Sequence, residues 1–132
     1  MTILIADDDR VHVQLVSSRL KKLGINVAVA FDAMQAFTLA ISTAPTALLL
    51  DVNMPGGTGF EVLKRLKNSS KTNQIPVIVV SGSIDEKTSG AVKELGAEAY
   101  LPKPVDFAQL LETLYRVLGL PVETSPQTEL HK

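Results

Sequence analysis

The stretch Ala47-Leu48-Leu49-Leu50-Asp51-Val52-Asn53-Met54-Pro55-Gly56-Gly57-Thr58-Gly59 decides how this chain is read. Ala47 to Leu50 are continuously apolar, which suits a strand buried on both faces of a parallel sheet; a half-exposed strand would alternate with polar residues. Asp51 falls at the carboxyl end of that strand. In open α/β sheets this end faces the ligand crevice, so a carboxylate emerging there is placed for chemistry by a strand that packing holds still. Pro55 and the glycines Gly56, Gly57 and Gly59 oppose helix and strand, and they predict a loop over the crevice. Alone, Asp51 could simply start a turn. What else reaches the same crevice decides between a turn and a site.

Working outward, Ile3-Leu4-Ile5-Ala6 repeats the arrangement: a short apolar run delivering Asp7-Asp8-Asp9 at its end. Val13, Val16, Leu20 and Leu23 then recur at helical spacing, with Lys21 and Lys22 turned to water and Gly24 as a left-handed stop. Asn26 to Ala30 predicts a second strand, and Asp32 can cap a helix carrying Met34, Phe37 and Ile41. Beyond the Gly loop, Phe60, Val62, Leu63 and Leu66 predict a third helix with Lys64, Arg65 and Lys67 on a solvated face. Pro76 to Val80 predicts a fourth strand ending in Ser81-Gly82-Ser83. A helix over 85–95 follows, made the least rigid of the set by Gly90, since a mid-helix glycine costs about 1 kcal/mol relative to alanine. Ala97 to Leu101 predicts a fifth strand, followed by Pro102-Lys103-Pro104. The last helix runs from about Asp106 to Leu118, with Phe107, Leu110, Leu111, Leu114 and Leu118 inward and Gly119 as its stop.

Strands alternating with helices imply right-handed crossovers and a parallel sheet covered on both faces. The expected architecture is a flavodoxin-like, doubly wound α/β fold of five strands in the order 2-1-3-4-5 with five helices. Its crevice lies between strands 1 and 3. That order brings Asp7 and Asp8 beside Asp51, with Ser81 and Lys103 arriving at the same edge. The folded domain is expected over residues 1–119, and residues 120–132, rich in Pro, Thr, Ser, Gln and Glu, are expected to be a disordered tail or a linker.

Composition narrows the function. With 13 basic and 14 acidic residues and a net charge of −1, there is no bulk electrostatic case for direct nucleic-acid binding or for an anionic membrane. No cysteine is present, which excludes a thiolate metal site and a Cys nucleophile. No apolar run is long enough to span a bilayer and no basic leader precedes the first strand, so a cytoplasmic domain is expected.

Three carboxylates in one crevice repel: at about 5 Å and an effective dielectric near 20, each pair costs roughly 3 kcal/mol. Protonation of one, a nearby cation such as Lys103, or a bound metal can compensate. A site of oxygen ligands without Cys or His selects Mg²⁺ or Mn²⁺ over Zn²⁺. Phosphoryl transfer needs little from a protein beyond positioning and charge neutralisation, and an aspartate can be its nucleophile. On this arrangement Asp51 attacks, the metal and Lys103 neutralise phosphoryl oxygens, and the Ser81 hydroxyl donates a hydrogen bond. Simpler roles exist for each: helix N-terminal acids for Asp7 to Asp9, with Asp9 no more than that; an N-cap for Ser81; an exposed lysine for Lys103. Four strand ends with matching groups favour the joint reading.

Ile3 to Asp9, Leu48 to Gly59, Ser81-Gly82 and Tyr100-Leu101-Pro102-Lys103-Pro104 together resemble the receiver domain of bacterial two-component response regulators, over about residues 2 to 119. The resemblance implies that Asp51 accepts a phosphoryl group from a sensor histidine kinase or histidine phosphotransfer protein. It implies that Mg²⁺ is held by Asp7, Asp8, Asp51 and the backbone carbonyl of Asn53, and that Lys103 contacts the phosphoryl group and forms a cis peptide with Pro104. Ser81 and Tyr100 take the switch positions, and Asn53 and Ser83 those that tune dephosphorylation. Phosphorylation would bias the face made by helix 4, strand 5 and helix 5 toward a downstream protein, a tethered output domain or a homodimer. Gly82 and Thr58 depart from the residues common at their positions, without removing a group that the mechanism uses. His12 could be a phosphorelay donor or a helix-surface residue; the latter is expected, since donor histidines sit on four-helix bundles.

Other classes fit less well. A haloacid-dehalogenase-type phosphatase would need an acid/base carboxylate at Asn53, so turnover of a separate substrate is not expected. A flavodoxin would need a phosphate loop where three carboxylates stand. A transcription factor would need a DNA-binding domain for which no residues remain here; output by protein contact is expected, unless the polar tail is a cut linker to an effector domain. A receiver-like module acting without phosphate is the alternative.

Overall fold

Five short runs pair side by side into one parallel sheet: β1 (Thr2–Ala6), β2 (Asn26–Ala30), β3 (Ala47–Asp51), β4 (Val77–Ser81) and β5 (Ala99–Pro102), in the order β2-β1-β3-β4-β5. This computed structural model describes residues 1–53, 59–82 and 86–120. Pro55, Gly56, Gly57 and Thr58 of the predicted loop, Ser83, the predicted helix start at Asp85 and residues 121–132 lie outside the described residues. Helices α1 (Arg10–Lys22), α2 (Ala33–Thr43), α3 (Gly59–Asn68), α4 (Glu86–Glu94) and α5 (Phe107–Val117) cross between the strands. The flavodoxin-like order expected from the alternation is the one observed.

The sheet has two dry faces because its strands are apolar at successive positions. Ile3, Ile5, Leu49, Ile78, Val80 and Leu101 point to one side, where Val13, Val16 and Leu20 of α1 and Leu110, Leu111 and Leu114 of α5 cover them. Leu4, Ala6, Leu48, Leu50, Val77 and Val79 point to the other, under α2, α3 and α4. Every residue of β3 and β4 is buried, as a central strand requires. The charged ends of this sheet are therefore carried by elements that packing holds on both sides.

Several helix ends show why the boundaries fall where they do. Gly24, Gly96 and Gly119 all have positive φ. After each, the next amide bonds back five residues: Ile25 to Leu20, Ala97 to Val92 and Leu120 to Tyr115. In α4 this closure takes Ala97, which moves the start of β5 to Ala99, two residues later than the apolar run predicts. At the amino ends, Asp9, Asp32 and Asp106 each accept a backbone N–H of the first turn.

Three sequence expectations are corrected. In α2 the buried residues are Ala33, Ala36 and Ala40; Met34 is 77% exposed and Ile41 38%. The apolar arc of the helix is wide, so two stripes offset by one residue compete. The alanine stripe lets the helix approach the sheet more closely. Lys67 leaves the solvated face: its Nζ donates to the Ile75 carbonyl and to Glu98 Oε1, both at 3.0 Å, while Glu98 also accepts from the Val77 amide. Gly59 is not loop but the first residue of α3, and its amide donates to the Val52 carbonyl at 2.9 Å.

That close approach is why residue 59 must lack a side chain. A Cβ there would stand 2.3 Å from Val52 Cα and 2.8 Å from the Asp51 carbonyl oxygen, both backbone atoms that cannot turn aside. Gly90 has nothing within 4 Å of the same atom. Gly59→Ala is expected to destabilise the fold by about 2–3 kcal/mol through overpacking against the end of β3. Gly90→Ala is expected to stabilise it by about 1 kcal/mol through helix propensity alone. Urea unfolding midpoints that move in opposite directions for the two variants would bear this out.

Candidate functional site

The register of β1 and β3 sets Ala6 beside Leu50, so the next residues, Asp7 and Asp51, leave the sheet side by side. Alternation sends both to the α1/α5 face, in line with Ile5 and Leu49. The Asp7 amide donates to the Ala30 carbonyl at 3.0 Å, extending the β1–β2 ladder one residue past the strand and holding the Asp7 backbone. Both carboxylates are buried, at 3% and 4% exposure. Asp8 is exposed, yet one carboxylate oxygen from each of Asp7, Asp8 and Asp51 lies within 4.8 Å of the others.

Lys103 approaches this cluster from β5. It stands two residues after Leu101 and so on the same face, and its amide donates to the Ser81 carbonyl at 2.9 Å. The bond joining it to Pro104 is cis. Its ammonium is 2.9 Å from Asp7 Oδ1, 3.3 Å from Asp51 Oδ2 and 3.8 Å from Asp9 Oδ2. Burial lowers the Lys103 pKa, but the Asp7 and Asp51 carboxylates outweigh that and hold it above its ordinary value.

The two buried carboxylates divide the compensation unequally. Burial raises the pKa of Asp7, but hydrogen bonds from His12, from the Asp9 amide at 2.9 Å and from Lys103 more than reverse this, lowering it from 3.8 to about 2. Asp51 is raised: burial and the neighbouring charge of Asp7 together exceed the relief from the Asn53 amide, at 3.1 Å, and from Lys103. Asp51 is thus the carboxylate with unmet demand for positive charge. Three carboxylates without Cys or His in their cluster suit a hard divalent cation such as Mg²⁺, which takes oxygen ligands.

Ser81 ends β4 fully buried, beside the β5 residue Pro102. Alternation places it with Val77 and Val79 on the sheet face opposite Asp7 and Asp51. Tyr100 pairs with Val79 and packs on that same side, so Ser81 and Tyr100 are diagonal neighbours. Tyr100 also lines a groove of about 520 Å³ between α4 and α5, with Lys93, Glu112 and Arg116 at its walls.

His12 is a further correction. It is not on the helix surface but 8% exposed, with Nδ1 2.9 Å from Asp7 Oδ2 and Nε2 3.4 Å from the Val105 amide. A signal was available: His12 precedes Val16 and Leu20 at four-residue steps, on the edge of the buried stripe of α1. Asp9, expected to be only a helix N-terminal acid, caps α1 by accepting from the His12 amide at 3.1 Å.

This geometry has counterparts. Residues 3–115 match the family of the response regulator receiver domain, and the chain belongs to that family. It is 36% identical over 117 residues to protein PilH of Pseudomonas aeruginosa, covering 89% of this chain and 97% of PilH. It is 35% identical over 131 residues to the DNA-binding dual master transcriptional regulator RpaA of Synechocystis, covering 98% of this chain. The chain spans about half the length of that regulator, 53%. The crystallised chemotaxis protein CheY4 of Vibrio cholerae superposes with a TM-score of 0.82 at 32% identity, over 88% of this chain and 97% of CheY4. The chain is therefore a receiver domain of the two-component kind, a signalling domain, and no described helix is long and apolar enough to cross a membrane.

The unequal compensation sets a pH dependence. Because the folded-state pKa of Asp51 is raised, its charge opposes folding at neutral pH, and that penalty disappears as pH falls below the ordinary value of 3.8. Asp7 has the opposite sign: its contribution is present above 3.8 and is lost as pH falls through about 2. Asp51→Asn keeps an oxygen for the Asn53 amide and removes the charge. It is expected to raise stability at pH 7 by about 1 kcal/mol, part of the Coulomb repulsion between neighbouring carboxylates. Denaturant unfolding at pH 7 and pH 3.5 checks this, with the gain expected to vanish at the lower pH.

Proposed function

We propose that this domain is a phosphorylation switch in which Asp51 is the phosphoacceptor. The observation that carries the reading is the pairing of Asp51, buried and short of positive charge, with the Lys103 ammonium 3.3 Å away. In the reaction, a carboxylate oxygen of Asp51 attacks the phosphorus of a phosphohistidine on a sensor kinase or phosphotransfer protein. The O–P bond forms as the P–N bond breaks, and the imidazole nitrogen leaves with the electron pair and takes a proton from water. Lys103 neutralises charge on the transferred group, and β3 and β5 hold the two in place without rearrangement.

Asp7, Asp8, Asp51 and the backbone carbonyl of Asn53 would hold Mg²⁺, or Mn²⁺ in its place. The bound ion supplies further charge neutralisation at the phosphoryl oxygens. To contact the phosphoryl group the Ser81 hydroxyl turns around the end of β4 from the face opposite Asp51, and Tyr100, its diagonal neighbour, responds, so occupancy at Asp51 biases the α4–β5–α5 face between two arrangements. That face engages a downstream protein, a tethered output domain or a second copy of the domain. Asn53 and Ser83 influence how long the acyl phosphate lasts. The reaction is a self-catalysed transfer and hydrolysis, not turnover of a separate substrate, and the domain works in the cytoplasm.

Intact mass after incubation with a small-molecule phosphodonor tests the reading. The wild type is expected to gain one phosphoryl group when Mg²⁺ is present, and Asp51→Asn to gain none. Absence of a gain in the wild type, or an equal gain in the variant, would overturn it.

A further inference from the structure

The geometry points to His12 as a positioning residue that fixes which oxygen of Asp7 faces the cation, its own tautomer being set by the Val105 amide just before α5; this rests on the metal reading above. The Val105 amide can only donate, so His12 Nε2 must present its lone pair there. The proton is then on Nδ1, 2.9 Å from Asp7 Oδ2, and an ionised carboxylate can only accept it. The two partners together admit one tautomer. With Oδ2 held on the α1 side, Oδ1 is left to Lys103, the ammonium that also bonds Asp51.

The surroundings favour such a role over simple filling. The ring is buried beside Val16, Leu49, Val80 and Val105, at a cavity of only about 10 Å³, where an aliphatic side chain would pack without any polar partner. Instead a hydrogen-bonding ring occupies the place, and it bridges two segments far apart in sequence. Partners that orient metal-ligating groups commonly change metal affinity by about 10–100-fold when removed. His12 touches no reacting atom in this account; it acts through Asp7.

Two substitutions separate the contacts. The amide nitrogen of His12→Asn stands near the position of Nδ1 and can still donate to Asp7, but it is too short to reach Val105. His12→Leu keeps the burial and loses both bonds. Mg²⁺ titrations followed by backbone amide shifts are expected to give His12→Leu an affinity weaker by about tenfold or more, and His12→Asn one within about threefold of the wild type. Long-range ¹H–¹⁵N spectra of the wild-type ring are expected to show the proton on Nδ1, with and without Mg²⁺. If His12→Leu does not fold, the ring tautomer and the Asn variant decide. Wild-type binding with an unchanged Leu variant, an Asn variant weakened beyond that range, or a ring protonated on Nε2, overturns the inference alone. A wild type that binds no Mg²⁺ overturns the metal reading and this inference with it.

Discussion

The Lys103 ammonium, 2.9 Å from Asp7 and 3.3 Å from Asp51, lets two buried carboxylates stand side by side at one edge of the sheet. Without a cation each such pair at about 5 Å would oppose folding by roughly 3 kcal/mol at an effective dielectric near 20. One ammonium does not cancel the charge of three carboxylates, and the shortfall is not shared evenly. Asp7, with hydrogen bonds from His12, Asp9 and Lys103, is comfortable as an anion. Asp51 is left short, and on the proposed function a divalent cation and a phosphoryl group would meet that residual demand for positive charge.

The sheet makes this arrangement rigid and gives it two sides. Alternation along β1, β3 and β5 delivers Asp7, Asp51 and Lys103 to the face covered by α1 and α5. The same alternation along β4 and β5 delivers Ser81 and Tyr100 to the other face, against the cluster under α2, α3 and α4. The chemistry proposed at Asp51 and the response proposed at Tyr100 would therefore meet where β4 ends. Beyond that point the backbone of Lys103 is bonded to Ser81, so the lysine of the carboxylate cluster and the proposed switch residue share one hydrogen bond.

Much of this was legible in the sequence because burial leaves a plain mark on central strands. The run Ala47 to Leu50 and the run Pro76 to Val80 admit few alternatives, and the order of the sheet follows once strands and helices alternate. Asp7, Asp8, Asp51 and Lys103 are then brought together by topology. Finer placement depended on competition that a linear pattern does not resolve. In α2 two apolar stripes differ by one residue, and the smaller side chains win because they allow closer packing. Gly59 reads as loop punctuation, whereas its constraint is the nearness of the β3 backbone, which no local rule reveals. Lys67 reads as a solvated charge until Glu98 is brought next to it by the β4–β5 pairing.

On the proposed function, charge demand at Asp51 is met by a divalent cation held by Asp7, Asp8 and Asp51. The most direct measurement is the unfolding free energy of the wild type and of Asp51→Asn as Mg²⁺ is raised. Mass action requires that a cation bound only by the folded state stabilise it by about 1.4 kcal/mol at ten times its dissociation constant. That rise is expected in the wild type, and a small fraction of it, over the same concentrations, in the variant. No rise in the wild type, or an equal rise in both proteins, would contradict it.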